Sequence, residues 1–136
     1  MIRRLLESSL YCDDLSRTAR FYRDVAGMTE LFADDRLVAL DAGEGTVLLL
    51  FRRGATREPA VLPDGRVIPG HDGHGPLHLA LAVDADALPE VRRRLAAAGV
   101  AVESEVQWPR GGTSLYCRDP EGHSLEFATP GLWATW

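Results

Sequence analysis

Near the C-terminus the stretch Thr113-Ser-Leu-Tyr-Cys-Arg-Asp-Pro-Glu-Gly-His-Ser-Leu-Glu-Phe-Ala-Thr129 carries one carboxylate, Glu126, inside a segment that otherwise alternates like two short strands. Asp119-Pro120-Glu121-Gly122 between them is a turn signature, because Pro presets φ at the second position and Gly accepts a left-handed conformation later in the turn. A three-residue loop from Pro120 to Gly122 pairs Asp119 with His123 and therefore sets Tyr116 opposite Glu126. Ser114, Tyr116, Ser124, Glu126 and Ala128 then share one face, while Leu115, Cys117, Leu125 and Phe127 supply the other, which reads as core. A carboxylate and a phenol side by side on the second face are a candidate acid/base or ligand pair.

Their positioning depends on the elements that precede them. Leu5 to Cys12 alternates as a strand, with Glu7, Ser9 and Tyr11 on one side and Ser8, Leu10 and Cys12 on the other. Asp13-Asp14 offers an N-cap, and apolar residues at helical spacing run from Leu15 until Gly27. Thr29 to Ala33, Leu37 to Asp41 and Thr46 to Phe51 are β-type runs divided by turn residues. From Arg53 to Pro76 the chain is rich in Gly, Pro, Asp and Arg, and reads as a long connection with a possible hairpin around Pro63-Asp64-Gly65. Leu77 to Val83, a helix from Leu88 to Ala98 capped by Asp84 or Asp86, and strands at Val102 to Val106, Thr113 to Cys117 and Ser124 to Ala128 repeat the first pattern. Gly99 answers to Gly27 and His78 to Glu7.

The expected fold is α+β: two tandem βαβββ modules forming a curved mixed sheet around a cavity, each module covered by its own helix. The expected organisation is a single domain over residues 1–136, with module one at about 1–53, the connection at about 54–76, module two at about 77–129 and a tail from 130 to 136. On the faces turned away from the helices, the first module presents Glu7 and the second presents His78 and Glu126, with Leu48 matched to Glu126 in the first. Two carboxylates and an imidazole suit one divalent ion (Mn, Fe, Zn, Ni or Co) with open coordination positions. Such an ion binds two substrate oxygens and polarises them as a Lewis acid, and Tyr116 is then either a proton donor or an inert aromatic wall. His71 and His74, in the loop Pro69 to Gly75, are titratable groups that can reach over the site.

Three segments together resemble the vicinal oxygen chelate superfamily of glyoxalase I, extradiol dioxygenases, fosfomycin-resistance and bleomycin-binding proteins. They are Leu15-Ser-Arg-Thr-Ala-Arg-Phe-Tyr-Arg-Asp-Val-Ala-Gly-Met28, Gly75-Pro-Leu-His-Leu-Ala-Leu-Ala-Val83 and Tyr116-Cys-Arg-Asp-Pro-Glu-Gly-His-Ser-Leu-Glu126. The resemblance implies metal positions at Glu7, His78 and Glu126 and puts Leu48 where glyoxalase I enzymes have a Glu. Extradiol dioxygenases hold iron with two His and one Glu, a pattern that Glu7 breaks. Fosfomycin-modifying members have counterparts to Ser9, Ser114 and Tyr116, whereas the cationic residues that hold their phosphonate have no match in place here, although Arg110 and Arg118 lie nearby. The implied catalytic residues are Tyr116 and Glu126, and the implied substrate contacts are Ser9, Leu48, Ser114, Arg118 and His74.

Composition limits the remaining possibilities. A net charge of −5 lacks the basic excess of a nucleic-acid binder, and no apolar run reaches the roughly 20 residues that span a bilayer. The N-terminus has no signal-peptide h-region, and Cys12 and Cys117 lie within strands as free thiols of a reducing, cytoplasmic compartment. The expected protein is a homodimer, with Trp133 and Trp136 as candidate contacts. It is expected to be a metal-dependent enzyme acting on a small oxygen-rich molecule by isomerase or lyase, dioxygenase or epoxide-opening transferase chemistry. The alternative is a non-catalytic drug- or metabolite-binding protein of the bleomycin-resistance type.

Overall fold

Ten strands and two helices follow one another as two β-α-β-β-β units separated by a small hairpin, in a computed structural model that describes residues 1–136. The first unit comprises residues 1–23 and 27–75. It contains β1 (Glu7–Cys12), α1 (Leu15–Asp24), β2 (Thr29–Ala33), β3 (Leu37–Asp41) and β4 (Val47–Arg52), with the sheet ordered β1-β4-β3-β2. The β1–β4 pairing is parallel and the others antiparallel. The Asp14 side chain accepts the Arg17 backbone N–H at 2.9 Å and so caps α1, and the Gly27 N–H closes the helix on the Arg23 carbonyl at 3.1 Å.

Register decides which residues of this unit are core. Ser8 pairs with Leu48, Leu10 with Leu50, Leu48 with Leu40 and Leu50 with Val38, so these side chains share a face. Leu10, Cys12, Val38, Leu40, Leu48 and Leu50 are all buried, as are Thr18, Ala19, Phe21 and Tyr22 of α1, the apolar stripe that covers them. The opposite face carries Glu7, Ser9 and Tyr11 beside Val47, Leu49 and Phe51. The connection folds onto the end of that face: the Tyr11 hydroxyl is hydrogen-bonded to His71 Nδ1 at 2.7 Å, and Arg53 donates to the Tyr11 and Gly73 carbonyls. Within it, β5 (Ala60–Val61) and β6 (Val67–Ile68) form the small hairpin expected around Pro63-Asp64-Gly65.

The second unit comprises residues 24–26 and 76–136. It contains β7 (His78–Ala82), α2 (Leu88–Ala97), β8 (Ser104–Gln107), β9 (Thr113–Arg118) and β10 (Ser124–Ala128), in the sheet order β7-β10-β9-β8. Asp84 precedes a 3₁₀ turn, Ala85–Ala87, and makes no side-chain cap; α2 begins after Ala87 with Pro89 in its first turn, which removes one of the N–H groups a cap would serve. Leu115, Cys117, Leu125 and Phe127 form the core with Val91 and Leu95 of α2. Both cysteines are buried and neither forms a disulfide. Backbone ladders run within each unit, so the expected curved sheet is realised as two four-stranded mixed sheets. No helix is long and apolar enough to cross a membrane.

Candidate metal centre

The β9–β10 hairpin sets the geometry. Asp119 pairs with His123 across a three-residue loop, Gly122 takes φ +84°, and the register places Tyr116 opposite Glu126. The Asp119 carboxylate accepts the backbone N–H groups of Glu121 and His123, each at 2.9 Å, which fixes the turn from inside. His123 is almost fully buried, and its Nδ1 accepts the Leu77 N–H at 3.0 Å, pinning the start of β7 one residue before His78. The parallel β7–β10 ladder then sets His78 beside Ser124 and aligns Ala80 with Glu126.

At this point an imidazole and a carboxylate meet. His78 Nδ1 lies 3.0 Å from the Ser124 carbonyl oxygen, which can only accept, so Nδ1 carries a proton and Nε2 is the nitrogen left to face Glu126. That Nε2 is 3.3 Å from Glu126 Oε2. Two electron-rich atoms at this distance repel unless a proton or a cation lies with them, and a backbone-anchored Nδ1–H is the usual partner arrangement of a metal-ligating His. The pair therefore fits a divalent ion, with His78 half-exposed and the Glu126 side chain only 6 % exposed. Within the second unit the structure assembles these two donors, and no group of three or more His, Cys, Asp or Glu residues is brought together to hold an ion.

Glu126 is held from behind. The Ser114 hydroxyl donates to Glu126 Oε1 in a short hydrogen bond, and Trp108 Nε1–H donates to Ser114 Oγ at 2.8 Å. Tyr116 stacks near His78 with ring centroids 6.5 Å apart. Burial raises the Tyr116 pKa above its ordinary 10.0, and the hydrogen bond and charge of Glu126 add to this. The phenol is thus a proton carrier at neutral pH.

The other expected site residues are placed unequally. Glu7 is the exposed first residue of β1, as His78 is the exposed first residue of β7, and Ser9 lies on the same face as Glu7. Leu48 is not a site residue: it is 2 % exposed, on the face shared with Leu10 and covered by α1. Glu7 pairs with Val47 as His78 pairs with Ser124, so two residues further along each partner strand the counterpart of Glu126 is Leu49. The error was a slip of one residue, which in a strand exchanges the faces. Ser114 is fully buried and bonded on both sides, so it supports Glu126 and does not contact substrate. The Arg118 guanidinium is taken by the Glu103 carboxylate and the Gly122 carbonyl. His74 is exposed in the connection, whereas His71 is docked on Tyr11 and Phe51. Trp108 and His123 escaped the sequence reading. A His flanking a tight turn on the core side of a strand was the available signal for His123, and nothing in the spacing marked Trp108.

Comparison with known proteins agrees with this architecture. Residues 4–127 match the family described as the Glyoxalase/Bleomycin resistance protein/Dioxygenase superfamily. Among solved structures, lactoylglutathione lyase from Agrobacterium tumefaciens is 33% identical, with 96% of each chain covered and a TM-score of 0.84. The fosfomycin resistance protein FosX from Mesorhizobium loti is 21% identical (97% of this chain, 96% of that chain, TM-score 0.69), and the oxidase ChaP-H2 is 20% identical (95% and 94%, TM-score 0.71); at these identities they share the fold. No functionally curated protein matches. With its family match spanning both units, the chain belongs to the Glyoxalase/Bleomycin resistance protein/Dioxygenase superfamily.

Proposed function

We propose that the chain is a metal-dependent enzyme that acts on a small oxygen-rich molecule through two neighbouring oxygens. The observation that carries this reading is the His78–Glu126 pair, a carbonyl-anchored imidazole 3.3 Å from a buried carboxylate oxygen. A divalent ion held there supplies Lewis-acid polarisation of substrate oxygens. The chain supplies the rest. His78 and Glu126 are the donors in the second unit, and Glu7 holds the matching place in the first. Tyr116 keeps its proton at neutral pH and offers it to an oxygen on which negative charge develops. Ala80 and Ala82, on the same face of β7 as His78, leave room beside the imidazole.

Isomerase or lyase chemistry is favoured by the 33% identity to a lactoylglutathione lyase; dioxygenase and epoxide-opening chemistries rest on likeness in fold. With Leu49 at the fourth symmetric position, the reaction proceeds without a carboxylate there, and the proton work falls to other groups. The protein is proposed to act in the cytoplasm as a homodimer, consistent with two reduced buried thiols and with large exposed apolar groups such as Phe32 and Trp133.

Metal analysis of the purified protein tests the reading. Near-stoichiometric divalent metal is expected, and it is expected to be lost in the His78→Ala, Glu126→Ala double variant. A protein that carries no metal after exposure to all five candidate ions, yet retains a small molecule, is instead a sequestering protein of the bleomycin-resistance kind.

A further inference from the structure

The buried hydrogen-bond chain behind Glu126 has a fixed direction. An indole N–H can only donate, so Trp108 Nε1–H occupies a lone pair of Ser114 Oγ at 2.8 Å. The single hydroxyl proton of Ser114 must then go elsewhere, and its partner is Glu126 Oε1. Ser114 is fully buried and Glu126 is 4 % exposed, so water does not compete for the link between them, and the half-buried Trp108 leads into it. Oε1 is therefore engaged as an acceptor while Oε2 is left directed at His78 Nε2.

The donor at the head of the chain is itself anchored. The Trp108 N–H donates to the Gly112 carbonyl at 2.8 Å and the Gly111 N–H donates to the Trp108 carbonyl at 2.9 Å, closing a tight loop before β9. A Cβ on Gly112 would lie 2.8 Å from the backbone of Gly131 and Leu132, and one on Gly131 would lie 2.5 Å from the Gly112 nitrogen. Such close approach of two backbones leaves the loop no room to swing, and it ties the indole to the segment that follows β10.

We propose that Trp108 is a positioning residue which, acting through Ser114, locks Glu126 into presenting one oxygen, Oε2, to the metal. This deepens the metal reading and rests on it. Without the lock the carboxylate is free to turn and offer both oxygens or neither, because the tether on Oε1 takes its direction from the indole. Trp108 touches neither ion nor substrate in this scheme.

Two measurements test it. In metal-free protein labelled with ¹⁵N, the three indole N–H resonances are assigned with Trp108→Phe, and Glu126→Gln is then expected to shift the Trp108 indole signal while those of Trp133 and Trp136 stay in place. A Trp108 signal unmoved by Glu126→Gln overturns the relay, which runs from Trp108 through Ser114 to Glu126. In calorimetric titration with Zn²⁺ alone, Trp108→Phe and Ser114→Ala are expected to weaken binding about 10- to 100-fold, the range for loss of a group that orients a ligand, and Ser114→Thr, which keeps the hydroxyl, is expected to restore most of it. Unchanged Zn²⁺ affinity in both Trp108→Phe and Ser114→Ala overturns the positioning role. If the unaltered protein binds no Zn²⁺ or other candidate ion, the metal reading fails, and the indole shift still decides whether Trp108 orders Glu126.

Discussion

Placing a carboxylate at residue 48 and at residue 49 should give opposite results, and the contrast tests the register of the whole first sheet. Leu48 is 2 % exposed, between Ser8 and Leu40 on the face covered by α1, whereas Leu49 lies between Ser9 and Ala39 on the face of Glu7 and is half-buried. Leu48→Glu forfeits the burial of a leucine, about 1.5–3 kcal/mol. It also puts a carboxyl where no donor awaits it, at roughly 1–3 kcal/mol on protein mutational scales even when the group is protonated. The sum, about 2.5–6 kcal/mol, is a large share of the 5–15 kcal/mol that typically separates folded from unfolded domains. Leu49→Glu keeps its charge near water and should cost no more than about 1 kcal/mol, as partly exposed substitutions do. Urea denaturation followed by circular dichroism reads both. The expected outcome is a Leu48→Glu protein that is unfolded or has its midpoint lowered severalfold more than that of Leu49→Glu. If position 48 tolerates the carboxylate and position 49 does not, the alternation assigned to β4 is reversed, and Leu49 is not the counterpart of Glu126.

Other outcomes follow from single residues. Tyr116→Phe should fold as the parent does and lower turnover by about 10²–10⁴-fold if the phenol acts as the acid, a loss read in kcat once a substrate is identified. Because burial and Glu126 raise the Tyr116 pKa, any alkaline loss of activity due to its ionisation should lie above pH 10.0 in the parent and be missing in Tyr116→Phe. Gly122→Ala meets nothing within 4 Å but must adopt φ +84°, so thermal unfolding should report a purely conformational loss of about 1–2 kcal/mol. Cys117 is fully buried, and its thiol pKa is pushed up to about 11 by burial first and then by the charges of Asp119 and Glu103. Native protein at pH 8 should therefore react slowly with a thiol reagent, and protein in urea should expose both cysteines at once.

How much of this was legible in the chain depended on the range of the interaction that decides each feature. Strand limits at Leu37–Asp41 and Ser124–Ala128, the capping of α1 by Asp14, and the turn that sets Tyr116 opposite Glu126 are local matters of periodicity and turn chemistry, and the sequence carried them in full. The alternation of β7 likewise sets His78 on one face beside small residues. Matching Glu126 to its counterpart failed by one residue because the two copies carry different lengths of chain between their parallel strands, and only the ladders Glu7–Val47 and His78–Ser124 align them. The roles of Ser114, Arg118, His123 and Trp108 were hidden for a related reason. Each is defined by a hydrogen bond to a distant or separately looped residue, and a side chain's partner, unlike its face, is not a periodic property of the strand that carries it. The sequence by itself determined the two units and the faces of the strands that carry Glu7, His78 and Glu126, and it offered those three as candidate donors. The tertiary structure alone decided which nitrogen of His78 is free, which oxygen of Glu126 is held and by what, because those depend on the directions of hydrogen bonds that exist only once the strands are side by side.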